Sequence, residues 1–296
     1  MVFMPGISLT AKMFLPLISL LDFNINAYGI NWPFHKLQPF ADDVKVKYID
    51  QIKFVDEFVT PDNISRYILH ALAILRNTKD ADGAFGTSEL CLDELLPTSK
   101  DFSQPPTAFG HSAGGSALLM AQCLSPGTFS KIILYEPIFI PSIDDAPEEV
   151  RLEISSLIER TYKRKALFPS REAAETHFQN RIPFSDMTPP ALRMYIAEAF
   201  QMTDQGLSPV LEPATEASFY QKFAELGRQV TLGQPQCPVH VIIGSNRNAV
   251  ASYSLQALQR QLPDLIPTTL DGLGHLAPFT DPSAVAGIIN TIIKNG

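Results

Sequence analysis

The sequence predicts an α/β fold built on a mostly parallel sheet. Three observations carry this. Short apolar runs with strand character alternate with stretches whose apolar residues recur at helical spacing. One apolar run turns into a small-residue helix through Gly110-His111-Ser112-Ala113-Gly114. Strand signal then disappears from Pro141 to Gly233, so a helical block interrupts the alternation.

The elements follow in order. Val2 to Met4 reads as a strand, Pro5-Gly6 as a turn, and Leu9 to Leu21 as an amphipathic helix. This start is apolar, but no basic segment precedes it, and Pro5-Gly6 and Lys12 interrupt it. It is therefore expected to be neither a signal peptide nor a membrane span. Asn24 to Tyr28 is a second short strand. Thr60-Pro61-Asp62-Asn63 starts a helix whose apolar positions run from Ile64 to Leu75. Residues 77 to 104 cluster Gly, Asp, Ser and Pro and read as a surface connection. Thr107 to Phe109 and Ile132 to Tyr135 are strands that flank the helix Gly115 to Leu124. Helical segments follow at Glu148 to Tyr162, Arg171 to Phe178, Pro190 to Phe200 and Glu216 to Leu226. Strands return at Pro238 to Ile243 and Thr268 to Leu270, and Pro282 to Ile293 closes the chain as an amphipathic helix.

Length and composition narrow the function. The 296 residues are ample for a substantial core, and 45% hydrophobic against 18% charged residues excludes a disordered chain. The 31 acidic residues outnumber 23 basic ones, for a net charge of -8. That balance argues against nucleic acid and against anionic membranes as partners. Cys91, Cys123 and Cys237 are far apart and odd in number, which suits free thiols in a reducing compartment and no zinc site. No phosphate or dinucleotide loop is present, so no cofactor and no metal are expected.

The chemistry is expected at Ser112. The G-x-S-x-G spacing lets a strand turn sharply into a helix and leaves the serine exposed at the sheet edge. A serine hydroxyl needs a base, and six histidines are available. His70, His177 and His240 fall in helices or a strand, and His35 in a loop without clear pattern. His111 adjoins the serine, so its side chain is expected to point away from the site. His275 lies in Gly272-Leu273-Gly274-His275, a glycine-rich loop after the last strand, where a side chain can return to the sheet edge.

With GHSAGG, the later GLGHLAPF and the helical insertion between them, the chain resembles the α/β-hydrolase superfamily over nearly its whole length. The resemblance implies Ser112 as nucleophile and His275 as general base. It implies an oxyanion hole from the backbone N–H groups of Ala113 and Ile7, the latter in Pro5-Gly6-Ile7. The acid that commonly follows the penultimate strand is missing, because that stretch reads Ile243-Gly244-Ser245-Asn246-Arg247-Asn248. Glu136, ending the strand after the nucleophile helix, is the candidate acid, with Asp271 as runner-up. The chain begins at what resembles the third strand of this fold, so the first two strands are expected to be lacking. Residues 1–140 and 234–296 are read as the core and 141–233 as a lid over an apolar pocket.

Asn180-Arg181-Ile182-Pro183, Ala191-Leu192-Arg193 and Leu211-Glu212-Pro213 are similar to lidded fungal hydrolases of the host-selective toxin biosynthesis and yeast peroxisomal lipase type. That narrower resemblance implies a serine hydrolase acting on a hydrophobic small-molecule ester or thioester, in secondary metabolism. The C-terminus lacks a peroxisomal address, so a cytoplasmic location is expected. Two other readings remain: a lyase, cyclase or acyltransferase on the same scaffold, and a catalytically silent binding protein. The oligomeric state is left open.

Overall fold

The structure, a computed structural model, describes residues 1–22, 27–33, 58–77, 104–226 and 233–295. Among these the strands are β1 (Val2–Met4), β2 (Tyr28–Gly29), β3 (Thr107–His111), β4 (Lys131–Tyr135), β5 (Phe200–Thr203), β6 (Gly206–Pro209), β7 (Val239–Gly244) and β8 (Thr268–Leu270). The helices are α1 (Leu15–Ile18), α2 (Pro61–Asn77), α3 (Ala113–Leu124), α4 (Glu148–Tyr162), α5 (Arg171–Phe178), α6 (Pro189–Ala199), α7 (Pro213–Leu226), α8 (Ala249–Gln261), α9 (Ala277–Thr280) and α10 (Pro282–Lys294).

Six strands form one parallel sheet in the order β2-β1-β3-β4-β7-β8. Both faces are covered, which is why its central strands read as nearly unbroken apolar runs. The pleat sends alternate side chains to opposite faces. Val2, Met4, Ala108, Ile132, Leu134, Val241 and Ile243 join one core with residues of α2, α3 and α8. Phe3, Phe109, Ile133, Tyr135 and Ile242 join the other with Phe14 and with Val285 and Ile289 of α10. A one-residue slip in any strand would exchange these two sets.

Two expectations are corrected, and one helix is added. The helix read at Leu9–Leu21 is a 3-10 turn, Ala11–Phe14, followed by the short α1. Pro16 lacks the N–H that a continuous helix would need there, and its ring clashes with the preceding turn. The segment from 141 to 233 is not purely helical, since β5 and β6 pair as an antiparallel hairpin. Each strand has four residues, too few for a pattern to register. Helix α8 was not foreseen, although Asn248 marks its start by accepting the Ala251 N–H at 2.8 Å. Of the strand expected at Asn24–Tyr28, Asn24 to Asn26 lie outside the described residues, and Tyr28–Gly29 is strand. His35, Cys91 and most of the connection from 77 to 104 lie outside the described residues. Among the described residues no helix is long and apolar enough to cross a membrane.

Helices α4 and α7 pack together, and α4 also meets α8. Between α4 and α7 lies a buried ion pair. Arg164 Nη1 donates to Glu216 Oε1 at 3.2 Å and Nη2 to Oε2, with Arg164 13% and Glu216 2% exposed. Burial works against the Arg164 charge, but Glu216, Tyr195 and Tyr220 together outweigh it and hold the guanidinium above its ordinary pKa. Removing one partner of such a pair strands a buried charge. Glu216→Ala should therefore lower unfolding stability by about 3–5 kcal/mol in a urea titration; a loss below about 1 kcal/mol would show that the pair is dispensable.

Candidate active site

Ser112 sits between β3 and α3 with φ 56° and ψ -129°. A non-glycine residue there is strained by about 1–3 kcal/mol and is held by its surroundings. The surroundings are close-packed backbone. A Cβ on Gly110 would come within 2.5 Å of the Gly115 Cα, and one on Gly114 within 2.3 Å of the Pro5 carbonyl oxygen. The glycines therefore do more than permit the turn. They let α3 start directly against the loop after β1. Ser112 is half-buried, and its hydroxyl makes no hydrogen bond among the described residues.

The Pro5-Gly6-Ile7 loop reaches the same place. Trp32 is fully buried and its Nε1–H donates to the Pro5 carbonyl at 2.9 Å, which fixes the loop. Ile7 and Ala113 line one cavity with Ser112. Neither of their amides donates to another main-chain group in the described turns, loops and caps.

His275 arrives on the loop after β8. That loop is tied to the residues after β7. Asn246 N–H donates to the Leu273 carbonyl at 2.9 Å and Asn246 Nδ2 to the Gly272 carbonyl at 2.9 Å. The Gly272 N–H donates to Ser245 Oγ at 2.8 Å. The Tyr135 hydroxyl, its pKa raised by burial and then by Glu136, donates to the Gly274 carbonyl at 2.8 Å. The stretch that lacks a carboxylate thus braces the histidine loop instead.

Glu136 follows β4 with φ 40° and is 2% exposed. Its Oε1 accepts the Gly244 N–H at 2.9 Å, and its Oε2 lies 2.8 Å from His275 Nδ1. Asp271, the runner-up, is exposed in the turn after β8 and forms no ion pair among the described residues. The structure therefore brings Ser112, Ala113, Ile7, His275 and Glu136 together at the carboxyl ends of the strands, where parallel sheets place their sites.

His111 is where the residue reading fails. It does not point away. Its ring is 1% exposed, lies 4.7 Å from the His275 ring centroid, and its Nε2 is 2.9 Å from the His275 carbonyl oxygen. A carbonyl only accepts, so Nε2 carries the proton and Nδ1 does not. Burial first, and then His275, hold His111 well below the usual histidine pKa. Strand alternation puts His111 on the face of Phe109 and Tyr135, and the loop that carries His275 returns over that face.

A cavity of about 970 Å³ opens over these groups. Its walls include Ile138, Ile154, Phe178, Met187, Tyr195 and Phe223, from the segment after β4 and from α4, α5, α6 and α7. Such a wall accepts apolar matter, and the polar groups converge at one end. Among the described residues no cluster of His, Cys, Asp and Glu could hold a metal ion. Cys123 and Cys237 are free, and burial followed by Cys237 pushes the Cys123 thiol up to about 11.

A family model described as "Alpha/beta hydrolase family" matches residues 1–288. Similar solved structures include the peroxisomal alpha-beta-hydrolase Lpx1 of Saccharomyces cerevisiae, at 17% identity, 99% of this chain, 76% of that one and a TM-score of 0.66. They include E-2-(acetamidomethylene)succinate hydrolase, at 19% identity, 99% and 91% coverage and a TM-score of 0.62. A marine microorganism esterase matches at 14% identity, 97% and 92% coverage and a TM-score of 0.64. At these identities the likeness is one of fold. No curated protein sequence matches the chain.

Folded His111 stays unprotonated where an unfolded histidine, near pKa 6.5, takes up a proton. Its contribution to stability is whole above about pH 6.5 and is lost as the pH falls below it. The melting temperature should fall between about pH 7 and pH 5, and fall less in His111→Gln. Parallel pH dependences would contradict this.

Proposed function

We propose a reaction for a chain that belongs to the alpha/beta hydrolase family: hydrolysis of a carboxylic ester or thioester of a hydrophobic small molecule through an acyl-serine intermediate. One observation carries it, the 2.8 Å contact of His275 Nδ1 with a buried carboxylate beside a strained serine.

In this reading Glu136 accepts the Nδ1 proton bond and leaves the other ring nitrogen of His275 free as a base. That nitrogen takes the Ser112 proton as Oγ attacks the acyl carbon. Negative charge develops on the acyl oxygen, and the Ile7 and Ala113 amides, both in the cavity lining, are the groups assigned to receive it. Imidazolium then donates its proton to the leaving alcohol or thiol. Water repeats the sequence on the acyl-serine and releases the acid. His111 holds the His275 main chain in place, and its low pKa avoids a second positive ring beside the imidazolium.

Residues 141–233 act as the lid in this account. The apolar cavity wall they contribute supports a hydrophobic acyl or alcohol part, for which a fatty-acid-derived or polyketide chain is proposed. The free thiols suit a reducing compartment such as the cytoplasm.

A fluorophosphonate probe tests the reading. The wild type should be labelled and Ser112→Ala should not. Ester hydrolysis should fall by about 10⁴-fold or more in Ser112→Ala and by a similar amount in His275→Ala, with the double variant no slower. Labelling that survives Ser112→Ala would remove the nucleophile assignment.

A further inference from the structure

The cavity carries a charge opposite to that of the chain. The chain is -8 overall, yet Arg160, Lys163, Arg164, Lys165 and Arg181 all line this cavity. The acids that line it are all engaged, two of them by cations of the same lining. Glu159 pairs with Lys163 at 2.5 Å, and Glu216 pairs with Arg164. Glu153 accepts the Ala249 and Val250 N–H groups at the start of α8, at 2.9 and 3.3 Å. Arg160 donates to the Ser156 carbonyl at 3.2 Å.

Lys165 and Arg181 are left without a carboxylate among the described residues. Both are exposed at the rim, on either side of α5 in sequence. Both are close enough to His177, itself in the cavity wall, to add to the effect of burial in lowering its pKa. Lys165 Nζ lies 4.9 Å over the Phe168 ring, which holds the ammonium at this place. Glu175, on the same helix as His177, is taken by Arg193 at 3.2 Å. A chain with eight more acids than bases thus places two exposed cations in the lining of one cavity and gives neither an acid among the described residues. Like charges gathered without a counter-charge repel one another, and an oxyanion placed among them relieves that repulsion.

We propose that the Lys165–Arg181 rim seats an oxyanion, a carboxylate or a phosphate, at the end of the substrate remote from the scissile bond. This rests on the reading of the cavity as the substrate site. The substrate class becomes an ester with an apolar body and one anionic end. The apolar wall between the rim and Ser112 takes the body, and the cations fix which way round it enters.

Calorimetric binding to the Ser112→Ala protein tests this without turnover. Monomethyl suberate and dimethyl suberate share one body and differ by one negative charge. The monoanion should bind about tenfold more tightly, with the gap narrowing as salt is raised. The gap should close when Lys165→Glu and Arg181→Glu are added. Equal binding of the two esters, or a gap that survives the charge reversal, overturns the proposal. Competition by inorganic phosphate or by acetate tells which oxyanion the seat prefers, and either result supports it. Probe labelling of the wild-type serine reports on the hydrolase reading separately. A gap without labelling keeps the seat and removes that reading; labelling without a gap does the reverse.

Discussion

The Glu136 carboxylate is almost wholly withdrawn from water, and a charge in that position has to be met on both oxygens. The Gly244 amide meets one and the His275 ring meets the other. Those two partners come from different strands, so one side chain after β4 ties the end of β7 to the loop after β8. The rest of the site depends on this. Without the carboxylate, nothing else described would fix which nitrogen of His275 faces Ser112.

The remaining parts are arranged around that constraint. Gly114 packs α3 against the Pro5 carbonyl, so the serine and the Ile7 loop are positioned by one backbone contact. Tyr135, His111, Asn246 and Ser245 all bond main-chain groups of the 272–275 loop. These bonds act on backbone rather than on the imidazole, and they leave its ring nitrogens for the carboxylate and the reaction. The binding-protein alternative has no use for such bracing.

Much of this was legible in the sequence, for reasons that differ by element. β3, β4 and β7 are buried on both faces, so their unbroken apolar runs stood out. Ser112 and His275 were marked by glycines that a strained turn and a loop return require. Glu136 was reached by noting that Ser245-Asn246 offers no carboxylate. What failed were features set by tertiary context. The β5–β6 hairpin is short and is fixed by pairing with Phe168 as well as with itself. The start of α8 is marked by a single cap, Asn248, at the end of a stretch whose plainest sequence feature is its lack of a carboxylate. His111 keeps strand alternation, sharing a face with Phe109 and Tyr135, and only the fold brings the His275 loop back over that face. The cations of the cavity lining have no sequence signature, since Lys165 and Arg181 are sixteen positions apart and reach one cavity only through the fold.

The central claim is that a carboxylate just after β4, not one beside the histidine loop, orients His275. The rate of fluorophosphonate labelling, followed by intact mass in Glu136→Gln and in Asp271→Asn, tests it most directly. Glutamine keeps the shape but cannot stabilise the imidazolium, so Glu136→Gln should label slower by about two to four orders of magnitude, and Asp271→Asn should match the wild type. Wild-type labelling in Glu136→Gln with loss in Asp271→Asn would contradict the account.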